Sequence, residues 1–177
     1  MTAFPAYPTF SERSIKSTYP TSSERSINST YSATLTEYSQ KYWRPGTTVL
    51  ADYYYHVIQV NSSGLGYYSF TSNSSIQLCA FVYTHEFHPT SPCSNIGLYG
   101  CREDNVEVQF MKFLSPTTND VLVITTFSAN VTGEFTIIIS GPELVKLTPS
   151  PLNTISPRPS KSKNIQIHSC IWYLLHS

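Results

Sequence analysis

Between residues 32 and 142 the chain is a succession of short apolar and aromatic runs, each closed by Gly, Pro, Asn or Ser. Within a run the apolar residues recur every second position, which is the spacing of side chains along a strand. No window keeps apolar residues at i, i+3 and i+4 over three turns, so a helical core is excluded. The apolar set is dominated by β-branched and aromatic residues, which fit a pleated and half-buried surface.

Strands are expected at residues 32–38, 53–60, 66–72, 78–84, 105–113, 120–127 and 133–140. In 53–60 (YYYHVIQV), Tyr54, Ile58 and Val60 share one face. In 66–72, Tyr68 and Phe70 point inward. In 105–113, Val106, Val108 and Phe110 face in, and Glu107 and Gln109 face out. Phe135, Ile137 and Ile139 share the inner face of the last run. The runs 78–84 and 120–127 are apolar at both parities, which predicts central strands. Asn61-Ser62-Ser63-Gly64 reads as a turn joining 53–60 to 66–72 in a β-hairpin. The pattern predicts an all-β, antiparallel β-sandwich of seven to eight strands. With 40% hydrophobic residues in 177, the chain can bury a core.

The flanks differ in texture. Residues 1–31 are rich in Ser, Thr and Pro and carry a duplication: SERSIKSTYP begins at Ser11 and SERSINSTYS at Ser23. Two copies do not make a solenoid, and the segment reads as a disordered linker. Residues 143–177 read as a second disordered tail, rich in Pro, Ser and Lys. Its short apolar end contains Ile171, Trp172, Tyr173, Leu174 and Leu175 and is too short to span a bilayer. The organisation expected is therefore linker 1–31, sandwich 32–142 and tail 143–177. The formal net charge is zero and charged residues are only 12%. That excludes the basic surface of a non-specific nucleic-acid binder.

The compartment is read from sequons and cysteines. Asn28, Asn61, Asn73 and Asn130 each begin an N-x-S/T sequon and are glycosylation candidates. With low charge and many tyrosines they point to an extracellular, secreted protein. The opening MTAFPAYPTF lacks the basic and apolar regions of a signal peptide, so the expectation is a piece of a longer exported parent with neighbouring domains. None of the four cysteines has CxxC spacing. Cys93 and Cys101 are the disulfide candidate, closing a Gly-containing loop, although Cys79 competes for either.

The core run resembles the pre-peptidase C-terminal domain family, in the form found as repeated extracellular modules. The resemblance rests on the opening YSATL at Tyr31, the strand YYYHVIQV at Tyr53 and the return GYYSFTS at Gly66. It continues through Phe81-Val82-Tyr83, VLVITT at Val121 and GEFTIII at Gly133. It implies a jelly-roll-like sandwich acting as an accessory or binding module. Related domains hold Ca²⁺ on clustered loop carboxylates. Here Glu103, Asp104 and Asn105 are weak Ca²⁺ candidates, because a shell of six to eight oxygens is poorly supplied. No other cofactor is implied.

No motif assembles a nucleophile, a base and an orienting group, and the expectation is a protein that is not an enzyme. His85-Glu86-Phe87-His88 is the lone histidine cluster, on a loop beside Pro89 and Pro92. His56 shares a strand face with Ile58 and reads as a hydrogen-bonded strand residue. The stronger lead is aromatic. Tyr53, Tyr55 and Tyr67 have outward parity and Trp43 sits in the preceding loop, so these four are the candidate ligand-binding face. The connection 84–104, about 20 residues without strand pattern, is a second binding candidate. The function expected is a non-catalytic extracellular module for adhesion, glycan, matrix or protein binding, or a spacer. The alternative is an accessory domain of a secreted hydrolase whose catalytic domain lies elsewhere.

Overall fold

The computed structural model describes residues 26–47, 51–101 and 107–151. They form ten strands: β1 (Ile27–Leu35), β2 (Lys41–Trp43), β3 (Asp52–Ser62), β4 (Gly66–Ser74), β5 (Leu78–Thr84), β6 (Ile96–Cys101), β7 (Gln109–Leu114), β8 (Asp120–Thr126), β9 (Gly133–Gly141) and β10 (Val145–Pro149). One sheet has the order β1-β9-β4-β7. The other has the order β10-β3-β8-β5-β6, with β2 added to the end of β3 that β10 leaves free. All pairings are antiparallel. Apart from β2–β3 and β5–β6, each connection carries the chain from one sheet to the other, which is the winding of a jelly roll.

Both faces of the larger sheet are buried along its central strands β3, β8 and β5. On the inner face Tyr54, Ile58, Val60, Leu78, Ala80, Val82, Leu122 and Ile124 meet Phe70, Phe135, Ile137 and Ile139 from the other sheet. A void bounded by Phe70, Val108, Phe110 and Ile137 has a volume of about 10 Å³. That is room for at most one water, so the space between the sheets is packed core. On the outer face Tyr53, Tyr55, Val57, Cys79, Phe81, Tyr83, Val121 and Val123 form a second cluster, closed by Tyr42 and Phe87.

The structure revises several local expectations. Residues 53–60 and 66–72 are not a hairpin, because β3 pairs with β8, β2 and β10 whereas β4 pairs with β7 and β9. The turn between them crosses the sandwich, a choice that strand pattern alone does not encode. The crossing is pinned by Tyr68, whose hydroxyl accepts from Ser62 Oγ at 2.8 Å. The same ring lies against Gly141, where any Cβ would overlap it. The first strand runs Ile27–Leu35, and residues 36–39 are a turn closed by Ser39 N–H on the Thr36 carbonyl at 3.0 Å. The stretch 84–104 contains edge strand β6, and the stretch after 142 supplies β10, which pairs with β3. The first copy of the duplication and the apolar end near residue 172 lie outside the described residues, whereas the second copy runs into β1 from Ile27, so the segment expected as linker 1–31 is strand at its end.

Candidate functional site

The candidate aromatic face divides in two. Trp43 is not in a loop but ends β2 opposite Asp52, on the Tyr54 side of the sheet, and is 5% exposed. Tyr53 and Tyr55 have outward parity but are only 4% and 1% exposed, so they are not a surface. The reason is the covering chain. Phe87, carried on the loop after β5, inserts its ring 5.5 Å from Tyr55, 5.6 Å from Tyr42 and 4.9 Å from Tyr83. Tyr83 anchors that loop by donating to the Pro92 carbonyl at 2.6 Å. Burial pushes the Tyr55 hydroxyl up to about 12 and the Tyr42 and Tyr83 hydroxyls well above the ordinary range, so all three stay neutral.

Tyr67 is the member that reaches solvent, at 67% exposed. It lies on β4 directly opposite Phe113 of β7, with ring centroids 5.2 Å apart in an edge-to-face pair. Met111, opposite Ser69 on the next rung, is 64% exposed, and Phe113 is 47% exposed. These three make an apolar ledge at the β7 edge of a face that is otherwise hydroxyl-rich, with Thr30, Ser32 and Thr34 exposed on β1. Phe113 and Met111 were missed as site residues. The signal was available: continuing the alternation from Val108 and Phe110 turns Met111 and Phe113 outward. Lys112, between them, points inward instead and sits 3.5 Å from the buried Asp120 carboxylate. Burial raises the Asp120 pKa, and Lys112 opposes the shift.

All four sequon asparagines are exposed. Asn28 and Asn73 lie on the outer face of the smaller sheet, Asn61 near the end of β3, and Asn130 in the β8–β9 turn. Asn130 has φ 60° and accepts from Lys41 Nζ at 3.0 Å. The hydroxyl residues Thr30, Ser63, Ser75 and Thr132 that complete the sequons are exposed as well.

The disulfide is Cys79–Cys101, not Cys93–Cys101. Cys79 and Cys101 are register partners on β5 and β6 with Cα atoms 4.3 Å apart, so pairing of the strands brings the thiols together. Cys93 is not a free thiol either. Beside the bond lies a buried arginine that sequence reasoning did not single out. Arg44 Nη1 donates to Cys79 Sγ at 2.7 Å, to the Thr126 carbonyl at 3.2 Å and to Cys101 Sγ at 3.4 Å. Its guanidinium lies over the rings of Tyr53 and Phe127, at 4.5 and 5.3 Å. Burial lowers its pKa.

The histidines do not converge. His56 Nε2 is 2.8 Å from the Tyr31 hydroxyl at the mouth between the sheets, and burial lowers its pKa. His88 pairs with Glu86 at 2.9 Å on the surface. Among the described residues no group of three or more His, Cys, Asp or Glu is placed to hold a metal ion. Glu103, Asp104 and Asn105 lie outside the described residues. No described helix is long and apolar enough to cross a membrane. No protein-family model and no curated protein matches the chain.

Proposed function

We propose that this protein is a non-catalytic, extracellular binding module that holds a glycan or protein ligand on the ledge formed by Tyr67, Phe113 and Met111. The observation that carries the reading is the exposure of two edge-to-face aromatic rings and a thioether on a sheet face that no segment among the described residues covers. Aromatic side chains offer much contact area for little loss of conformational freedom, a methionine thioether adapts to irregular partners, and a flat ring face suits the apolar face of a sugar. The cross-strand disulfide and four solvent-facing sequons support an oxidising, extracellular setting. The engaged polar groups support a non-catalytic role: His56 is bonded to Tyr31, and Asp120 is paired with Lys112.

The jelly-roll strand order is compatible with a module of the pre-peptidase C-terminal type beside a secreted hydrolase. On that finer reading the ledge serves the parent enzyme.

The test is binding of the full chain, secreted from a eukaryotic host, to glycan and matrix-protein arrays, beside Tyr67→Ala and Phe113→Ala. A ligand retained by the wild type and weakened about tenfold or more by Tyr67→Ala is expected, as for a central aromatic contact. Binding unchanged in both variants, or no retained ligand, overturns the reading.

A further inference from the structure

We infer that the Cys79–Cys101 disulfide is a site of thiol–disulfide exchange, in which an external thiol attacks Cys101 and Arg44 receives Cys79 as the leaving thiolate. The bond is asymmetric. Cys79 lies mid-sheet on β5 and is fully buried, whereas Cys101 ends edge strand β6 and is partly exposed. Among the described residues, an incoming thiolate therefore meets Cys101 at the sheet edge, while Cys79 is shielded.

Arg44 lies on the side that the leaving sulfur needs. Its Nη1 is 2.7 Å from Cys79 Sγ and 3.4 Å from Cys101 Sγ. A disulfide sulfur is neutral and a weak acceptor, a poor match for a cation that is only 6% exposed. What else holds the guanidinium is one carbonyl and two ring faces. Its Nε has no partner, and among the described residues no carboxylate pairs with it. The site is better matched once Cys79 carries a negative charge, because a cation at this distance favours the thiolate over the thiol.

The exchange balances with a dithiol reductant. Its thiolate bonds to Cys101 Sγ as the Cys79–Cys101 bond breaks, and Cys79 departs with the electron pair as a thiolate held by Arg44. The second thiol of the reductant, after losing its proton to solvent, displaces Cys101, which leaves as a thiolate and is protonated by solvent. The dithiol is oxidised to a disulfide and the protein is reduced by two electrons. Release of the bond removes the covalent tie between β5 and β6 at the last residue of β6 and leaves their strand pairing to hold them.

The test uses the full oxidised chain. A monothiol such as glutathione is added, the reaction is quenched by alkylation, and the mixed disulfide is located by peptide mapping. Adduct on Cys101, with Cys79 recovered alkylated, is expected. Adduct mainly on Cys79, or none at either cysteine, overturns the inference. In parallel, reduction by dithiothreitol and equilibration in thiol redox buffers are compared for wild type, Arg44→Gln and Arg44→Lys. Arg44→Gln is expected to slow reduction several-fold and to lower the equilibrium constant for reduction about tenfold, which is about 30 mV. Arg44→Lys, which keeps the charge, recovers part of both. Equal rates and potentials in a folded Arg44→Gln variant show that the arginine only packs against the bond and sink the proposal. If Arg44→Gln does not fold, the site of the wild-type adduct decides.

Discussion

Each sheet turns one face away from the other, and the two outer faces have opposite fates. On the larger sheet the outer face carries Tyr53, Tyr55, Phe81, Tyr83, Val121 and Val123, all buried beneath Tyr42 and the Phe87 loop. On the smaller sheet it carries Asn28, Thr30, Ser32, Thr34 and Asn73, left in water, with Tyr67, Met111 and Phe113 at one corner. The contrast is already present in strand composition. β5 and β8 are apolar at both parities, as strands sandwiched on two sides must be, whereas β1 alternates and β4 and β9 are mostly polar at their outward positions, Tyr67 and Ile138 being the exceptions. An outward aromatic is therefore a surface residue only if its strand is otherwise polar on that side. Tyr53 and Tyr55 fail that condition through Val57 on the same face, and Tyr67 meets it through Ser69, Thr71 and Asn73.

The contrast predicts a graded response to substitution. The largest effect is expected at Phe87, whose ring touches Tyr42, Tyr55 and Tyr83. Phe87→Ala should cost about 3–5 kcal/mol, as for a buried aromatic, in chemical denaturation. A loss under about 1 kcal/mol would show that the cover is not part of the fold. Next is the disulfide beneath the same cover. Replacing Cys79 and Cys101 together by Ala opens a crosslink spanning 22 residues and should cost about 3 kcal/mol on the loop-entropy account.

A smaller effect belongs to His56, in the interface between the sheets. Burial lowers its folded-state pKa below the ordinary value of 6.5, so the folded state favours the neutral ring. Its contribution is complete above the unfolded-state pKa and is lost as pH falls through 6.5 toward the folded value. Wild type should lose stability over that window, and His56→Gln should lose less. Equal slopes in pH-dependent melting would reject the assignment. The smallest effects are expected on the bare face. Met111→Ser should shift stability by about 0.5 kcal/mol or less, and Tyr67→Ser by up to about 1 kcal/mol through the cross-strand pair with Phe113. Losses as large as that of Phe87→Ala would mean that this face, too, is structural.

The regions read correctly from sequence are those with strong periodicity. Residues 78–84, 120–127 and 133–140 match β5, β8 and β9 to within a residue at each end. The inner-face residues of β3, β4 and β9 are those expected from parity. The three strands that were not expected have weak local signals. β2 has three residues, β6 spends two of six on glycine, and β10 carries a lysine and ends in proline. Each is ordered by a neighbour already in place: β3 for β2 and β10, and β5 for β6. The disulfide was illegible for the same reason. Spacing along the chain favoured Cys93, while register places Cys101 opposite Cys79.

By itself the order of residues determined that this chain forms antiparallel strands, that β5 and β8 are buried on both faces, and which side chains share a face. These follow from the two-residue repeat of an extended backbone, a property of each segment alone. Only the tertiary structure decided that β3 and β4 belong to different sheets, that Tyr53 and Tyr55 are covered while Tyr67 is not, and that Arg44 meets the disulfide. Those outcomes depend on segments distant along the chain competing for the same strand edge or apolar face, and packing between them resolves the competition.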